Sequence, residues 1–104
     1  MIGHGMHLSV SLLADYVNEL VEADPYLSDL WVEGEVSRPY FHTAGHVFFN
    51  LIDGSEAVVR CVLFRTYPGS DLLTHGVSVN AHGRVSFYKV RGDLQLYVDS
   101  VQPA

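Results

Sequence analysis

The sequence predicts the mainly β fold class, as a five-stranded Greek-key barrel preceded by one N-terminal α-helix. Apolar residues recur every three or four positions near the N-terminus, whereas from Leu30 onward they alternate with polar residues. A long connection, residues 65–76, is expected between the third and fourth strands. With 104 residues, the chain is expected to form a single domain, residues 1–104, whose core needs neither a disulfide nor a metal ion.

The helix is predicted at about residues 10–23. Its apolar positions have three- and four-residue spacing, and carboxylates lie on the opposite side together with Asn18. Ser9 or Ser11 can cap the first turn, and Pro25 follows where the helix must already have ended. The apolar positions of this predicted helix are Val10, Leu13, Val17, Leu20 and Val21.

Five strands are predicted in a barrel that spans about residues 30–101. The alternation places them at residues 30–37, 46–53, 57–64, 77–88 and 94–99, with a loop at 39–45 and a helical turn at 71–74. The third strand is nearly all apolar, which predicts that both of its faces are covered. A turn at residues 89–92 joins the last two strands into a hairpin.

Two glycines inside predicted strands, Gly34 and Gly83, indicate places where the sheet bends or another backbone approaches closely. Five short strands with such bends, and one long connection after the third, fit the partly open Greek-key barrel called the OB-fold. A five-stranded barrel of the SH3 type, or a meander sandwich, is the competing architecture.

Charge is distributed unevenly along the chain. The net charge is −6, and the first 36 residues carry seven carboxylates and no lysine or arginine. The rest of the chain carries six basic residues and five acidic ones. A net acidic protein argues against strong non-specific binding of nucleic acid, but this separation allows a basic face on an acidic body.

The sequence argues against an enzyme or a metal site. It contains no P-loop, no G-x-S-x-G and no H-E-x-x-H motif, and no cofactor is expected. His42 and His46 lie four residues apart, but across a predicted loop and strand rather than on one helical face. Cys61 is predicted to pack as a small hydrophobic residue. With no visible signal peptide, no apolar run of membrane-spanning length and a single cysteine, the expected location is the cytoplasm.

The second and third strands carry the residues best suited to a ligand. His46, Phe48 and Asn50 share one side of the second strand, and Arg60 and Phe64 can join them from the third. Aromatic faces that stack on bases, in a groove that is basic toward phosphates, hold single-stranded nucleic acid. The alternative is that both phenylalanines pack in the core. A second basic and aromatic cluster, or else a solvated hairpin tip, consists of Arg84, Tyr88, Lys89 and Arg91.

Several sequence blocks carry a family resemblance. They are SVS at residues 9–11, LSDLWVEGEVS at 27–37, GHVFFNL at 45–51, VLFR at 62–65, GRVSFY at 83–88 and RGDLQL at 91–96. With these blocks, the sequence from about residue 9 to residue 103 resembles the N-terminal OB-fold domain of the bacterial exodeoxyribonuclease VII large subunit. It departs from that family at Ile52, where a lysine is usual, and at Phe48, where a tyrosine is usual.

The resemblance implies a domain that binds single-stranded DNA within a longer cytoplasmic exonuclease of DNA catabolism. In that family the nuclease chemistry lies in a downstream region, so this domain alone is expected to have no catalytic residue and no nuclease activity. The expected partners are single-stranded DNA, the rest of the large subunit and a separate small subunit, and no membrane. Carried over by position, the nucleic-acid-binding residues are His46, Phe48, Asn50, Arg60, Phe64, Arg65, Tyr88 and Arg91.

A different class of function remains open on the same residues. The acidic N-terminal helix could dock onto a basic partner surface, which would make the domain an OB-type protein interaction module. The net charge favours this second hypothesis, whereas the basic and aromatic face favours single-stranded DNA binding.

Overall fold

The computed structural model describes residues 5–104 and contains one α-helix, five β-strands and one short 3-10 helix. The helix α1 (Val10–Ala23) comes first. The strands are β1 (Leu30–Phe41), β2 (Val47–Ile52), β3 (Val58–Leu63), β4 (Ser78–Tyr88) and β5 (Asp93–Pro103). The 3-10 helix η1 (Ser70–Leu72) lies in the connection between β3 and β4, where the sequence predicted a helical turn.

Local interactions explain where helix α1 begins and where it ends. Ser9, one of the two predicted caps, accepts a hydrogen bond at its hydroxyl oxygen from the Leu12 backbone N–H, at 3.1 Å. At the other end, Asp24 has an extended backbone, and Pro25 cannot continue the helix. The Asp24 carboxylate then accepts from the backbone N–H of Tyr26 at 2.8 Å, which stabilises the turn toward β1.

The five strands form a closed barrel in the order β1-β2-β3-β5-β4. The β3–β5 pair is parallel, and the other neighbours pair in an antiparallel manner. A meander pairs consecutive strands with each other, so the parallel contact between β3 and β5 excludes that alternative. The predicted fold class, a mainly β five-stranded OB-type barrel that follows one helix, is confirmed.

The core lies inside the barrel and is built from alternate residues of the strands. Phe49 and Leu51 of β2 point inward, and Leu73, which directly follows η1, is buried with them. Cys61 is also buried in this core, as predicted, and its burial raises the pKa of the thiol to about 12. The largest fully buried side chains are Leu63, Leu73, Leu96, Val36, Val47, Val79 and Val98.

Two strand predictions were wrong in part. Strand β1 continues to Phe41 through the segment predicted to be a loop from Pro39, because a bulge between Ser37 and Tyr40 accommodates Arg38 at a φ of 51° and the proline. Strand β3 was predicted to be covered on both faces, but Val58 is 56% exposed. Strand β5 begins to pair with β3 only at Arg60, so Val58 and Val59 have β2 as their single neighbouring strand in the barrel.

Both strand glycines lie where another backbone approaches. A Cβ atom at Gly83 would stand 2.1 Å from the Tyr97 carbonyl oxygen, at the point where the β4–β5 register shifts. A Cβ atom at Gly34 would stand 3.0 Å from the Ile52 carbonyl oxygen. Gly83 therefore allows the close approach of β4 and β5 that closes the barrel.

Helix α1 packs against β4 but buries none of its residues. Its half-buried side chains include Val17, Asn18 and Val21. The Asn18 side-chain oxygen accepts a hydrogen bond from the backbone N–H of Phe87 at 3.1 Å, although the sequence placed Asn18 on the polar side. Of the helices within residues 5–104, none has both the length and the apolar character needed to cross a membrane.

Candidate nucleic-acid interface

A groove of about 370 Å³ crosses the outer face of β2, β3, β5 and the end of β4, and we call it the central groove. Five of the eight predicted binding residues line it, from three different strands and the β4–β5 turn. Closure of the barrel brings them together, since β5 lies between β3 and β4. The residues that line the central groove are Phe48, Arg60, Val62, Phe64, Tyr88, Arg91, Gln95 and Tyr97.

Three predicted aromatic residues present their rings to solvent in the central groove. Phe48, Phe64 and Tyr88 are 43%, 37% and 38% exposed, whereas Phe49, next to Phe48 in the chain, is buried. The alternation along β2 thus places one phenylalanine in the core and the other on the surface. The alternative that Phe48 and Phe64 are core residues is therefore wrong.

Phe64 lies between two other rings. The ring of His46 meets it nearly edge-on, with 5.2 Å between centroids, and the ring of Tyr97 lies 5.8 Å away on β5. The Nδ1 atom of His46 accepts a hydrogen bond from the backbone N–H of Arg65 at 3.1 Å, which fixes the imidazole. His46 does not line the central groove itself; it positions Phe64 at the edge of the groove.

Two arginines of the central groove share one carboxylate. The Nε atoms of Arg60 and Arg91 lie 3.6 Å and 3.9 Å from the same oxygen of Asp93. Both arginine side chains are more than half exposed, so these contacts are weak and leave guanidinium donors free for phosphate. Asp93 reduces the charge of this trio to a single positive charge, and its other oxygen, Oδ1, is buried without a hydrogen-bond partner among residues 5–104.

A second concavity of about 250 Å³ continues the central groove toward the bulge in β1. The two share Phe48, Arg60 and Gln95, and the second adds the predicted residue Asn50. It also adds Arg38 and Tyr40, which sequence reasoning missed because it ended the first strand at residue 37 and placed Tyr40 in a loop. Gln95 and Tyr97 were missed as well, since nothing local in the sequence shows that β5 pairs with β3.

Three basic residues singled out in the sequence do not line the central groove, namely Arg65, Arg84 and Lys89. Arg65 lies beside the left-handed Gly45, where a Cβ atom would stand 3.0 Å from the Arg65 Cβ, and it lines none of the concavities described. Lys89 pairs with Asp15 of helix α1, with 3.1 Å between Nζ and the carboxylate oxygen. The second predicted cluster is thus divided, because Tyr88 and Arg91 join the central groove and Lys89 turns to the helix.

A larger concavity, of about 550 Å³, has the opposite charge. It is lined by Glu33, Glu35 and Asp53 and by no basic residue. Phosphates would be repelled there. The central groove is therefore the better candidate for nucleic acid, on charge and aromatic content rather than on size.

Comparison with known proteins relates the chain to one family. Residues 8–102 match a family model described as an OB-fold nucleic acid binding domain. The chain is 39% identical over 98 residues to the exodeoxyribonuclease 7 large subunit of Halothermothrix orenii, and 42% identical over 99 residues to that of Pseudomonas fluorescens. These alignments cover 92% and 93% of this chain but only 24% and 21% of the relatives, so the chain spans about a quarter of their length.

Solved structures show the same fold at low sequence identity. An asparaginyl-tRNA synthetase of Entamoeba histolytica matches with a TM-score of 0.63 and 20% identity, over 78% of this chain and 22% of that chain. A replication protein A heterotrimer bound to ssDNA matches with a TM-score of 0.61 and 14% identity, over 75% of this chain and 58% of that chain. At these identities the likeness concerns the fold alone.

Proposed function

The chain belongs to the family of OB-fold nucleic acid binding domains, and from this premise we propose that it binds single-stranded DNA along the central groove. The observation that carries the proposal is the grouping of three exposed aromatic rings with two arginines on one concave surface. Stacking on aromatic rings favours unpaired bases, because the bases of a duplex already stack on each other. The proposed contacts are made by Phe48, Phe64 and Tyr88 to bases and by Arg60 and Arg91 to phosphates.

The likeness to exodeoxyribonuclease 7 large subunits extends this proposal to a place within a longer protein. The chain matches about a quarter of those relatives, and the match is their N-terminal part. We therefore propose that the domain is itself non-catalytic and presents the strand to a nuclease region in the remainder of the large subunit. A separate small subunit completes the proposed enzyme, and the cytoplasm is its proposed location.

A titration of labelled oligothymidylate, followed by fluorescence anisotropy, tests the binding proposal. Phe48→Ala is expected to weaken binding about 5-fold to 150-fold, which corresponds to about 1–3 kcal/mol for one base stack, with an unchanged salt dependence. Arg60→Ala is expected to reduce the slope of log affinity against log salt by about 0.7, the value for one phosphate on a single strand.

The chain offers matched controls for both substitutions. Tyr26→Ala removes an exposed aromatic ring outside the groove, and Lys89→Ala removes a cation that faces the helix. Both variants should bind like the wild type, and duplex DNA should compete poorly for the groove. Wild-type affinity in folded Phe48→Ala and Arg60→Ala would overturn the proposed site.

Helix α1 supports a second function, and we infer that it docks onto the remainder of the large subunit. Leu13, Tyr16 and Leu20 are all at least half exposed and follow the spacing i, i+3, i+7. That spacing is typical of a helix that lies in an apolar groove of another protein. The carboxylate of Glu19, three residues after Tyr16 and so on the adjoining helical face, favours a groove with lysine or arginine at its rim.

Hydrogen exchange tests the docking of the helix. Amides of α1 should exchange more slowly in the full-length large subunit than in the isolated domain, because a docked helix opens less often. The double substitution Leu13→Ser and Leu20→Ser should remove this difference while the barrel amides stay unchanged. Equal exchange of α1 in both forms would reject this second function.

A further inference from the structure

A third concavity, of about 130 Å³, lies on the far side of Phe64 and Tyr97. These two rings line both this concavity and the central groove, so the two concavities adjoin at the rings. The third concavity adds Tyr67, which is 45% exposed, from the connection after β3, and Arg84 from β4. It therefore combines aromatic rings with a cation, as the central groove does. The sequence assigned Phe64 to the binding face and Arg84 to the second basic and aromatic cluster, but did not single out Tyr67 or Tyr97.

Arg84 differs from the arginines of the central groove. Its guanidinium carbon lies 4.7 Å from the centroid of the Tyr97 ring, on the neighbouring strand. Within residues 5–104, no carboxylate lies within ion-pair distance of Arg84, whereas Arg60 and Arg91 share Asp93. A guanidinium that stacks on an aromatic ring keeps its N–H donors at the edge, where they can bind a phosphate in a bidentate manner.

Carboxylates at one side of the third concavity limit where a phosphate can bind. The two nitrogens of His82 are held by Asp99, at 2.7 Å from Nδ1, and by Asp29, at 2.6 Å from Nε2. His82 and Asp99 line the third concavity together with Arg84. Even with His82 protonated, the group of two carboxylates and one imidazolium keeps a negative charge. A phosphate would be attracted to Arg84 and repelled beyond it.

We propose that Arg84, Tyr97, Phe64 and Tyr67 form an end subsite for one further nucleotide of a bound single strand. The base lies against the rings of Phe64 and Tyr67, and Arg84, held flat by Tyr97, binds the adjoining phosphate. This inference rests on the proposed function, since it extends the same strand beyond the central groove. If Arg84 only pairs with Tyr97 across the strands, its removal would change stability and leave binding unchanged. Binding measurements therefore separate this structural role from the end subsite.

Oligothymidylates of increasing length, from about 4 to about 12 nucleotides, test the end subsite, since single OB-folds occupy about 4–16 nucleotides. Arg84→Gln should weaken binding of the longest oligonucleotide about 5-fold to 10-fold and leave the shortest one that binds unaffected. The slope of log affinity against log salt should fall by about 0.7 for the long oligonucleotide only. Arg84→Lys keeps the charge without the planar group and should recover part of the affinity. Lys89→Gln should have no effect at any length.

Each outcome of this series separates the end subsite from the central groove. If the wild type binds no oligonucleotide of any length, the proposed function fails and the end subsite fails with it. If the wild type binds but Arg84→Gln behaves like it at every length, the end subsite is rejected and the central groove stands. An equal loss at all lengths also rejects it, because Arg84 would then act on the central groove or on the fold. Thermal unfolding of each variant shows whether the barrel is intact.

Discussion

The barrel and helix α1 use their apolar residues in opposite ways. Leu96 of the barrel is completely buried, and the core around it draws on all five strands and on Leu73. Leu20 of the helix is 60% exposed, and no residue of α1 is buried. Burial of apolar area is the main favourable contribution to folding, so the stability of this domain resides in the barrel.

Their exposed surfaces differ in charge as well. In the central groove, exposed aromatic rings lie beside Arg60 and Arg91. On the helix, exposed apolar side chains lie beside Glu19. Exposed apolar groups alone therefore do not identify a partner. The neighbouring charges do, because cations suit a phosphate chain and carboxylates suit a basic protein surface.

The largest expected effect is damage to the barrel by a single methyl group. Gly83→Ala places a Cβ atom 2.1 Å from the Tyr97 carbonyl oxygen, so β4 and β5 must separate. Such overpacking against backbone is expected to lower the free energy of unfolding by about 3 kcal/mol or more. Urea denaturation measures the loss. Gly54→Ala, where nothing lies within 4 Å of the added atom, is the matched control and should change stability by less than about 0.5 kcal/mol.

This substitution also tests the division between barrel and helix. If the barrel carries the stability, α1 should unfold together with it in Gly83→Ala, since the helix has no core of its own. Helical signal that outlasts the β-sheet signal during denaturation would show that the helix is stable by itself. The stability of the domain would then not reside in the barrel alone.

The second effect concerns the attachment of the helix. Asn18→Ala removes the acceptor for the Phe87 backbone N–H at 3.1 Å and for the Ser86 hydroxyl at 3.4 Å. Leaving a partly buried donor without a partner is expected to cost about 1–2 kcal/mol. Hydrogen exchange should become faster in α1 but not in β2, which the helix does not contact in the pairings described. Glu19→Ala, at the exposed neighbouring position, should leave exchange unchanged, and equal acceleration in both variants would contradict this role of Asn18.

The sequence predicted most of the fold because local patterns determine it. Alternation along β2 predicts that residues of opposite parity face opposite ways, and Phe48 and Phe49 do so. The helix followed from its spacing and from the Ser9 cap. Gly83 inside a predicted strand indicates a bend or a close backbone approach, and the Tyr97 carbonyl lies against it.

The strand pairing and the groove residues that the sequence did not predict depend on contacts between residues far apart in the chain or on irregular backbone. Strand β5 pairs with β3 in parallel, and no local pattern announces that Tyr97 lies beside Phe64. Arg38 was missed because the predicted first strand ended at residue 37, whereas a bulge with a positive φ at Arg38 lets the strand continue. Asn18 was placed on the polar side of the helix because its chemistry is polar, although its amide meets a backbone donor of β4.

His82 connects the barrel to the segment that joins helix α1 to β1. It lies on β4 and contacts Asp99 of β5 and Asp29, which belongs to the connection between the helix and β1. The ring of Trp31 lies 5.0 Å from the imidazole. Hydrogen bonds to Asp99 and then to Asp29 raise the pKa of His82 above its usual 6.5, against a smaller opposing effect of burial.

The smallest expected effect is therefore a dependence of the free energy of unfolding on pH that is caused by the protonation of His82. Because its folded pKa is higher than its unfolded value of about 6.5, the protonated imidazole stabilises the fold fully below that pH, and the contribution is lost as the pH rises through the folded pKa. Asp29 and Asp99 are both partly exposed, so the effect should be at most about 1 kcal/mol.

Urea denaturation of the wild type should show a loss of stability between about pH 6 and pH 8 that is smaller in His82→Gln and unchanged in His7→Gln, a substitution at an exposed histidine. NMR titration of the imidazole should give a midpoint above 6.5. A midpoint at or below that value, or an equal loss of stability in all three proteins, would show that His82 does not hold the helix connection to the barrel through its charge.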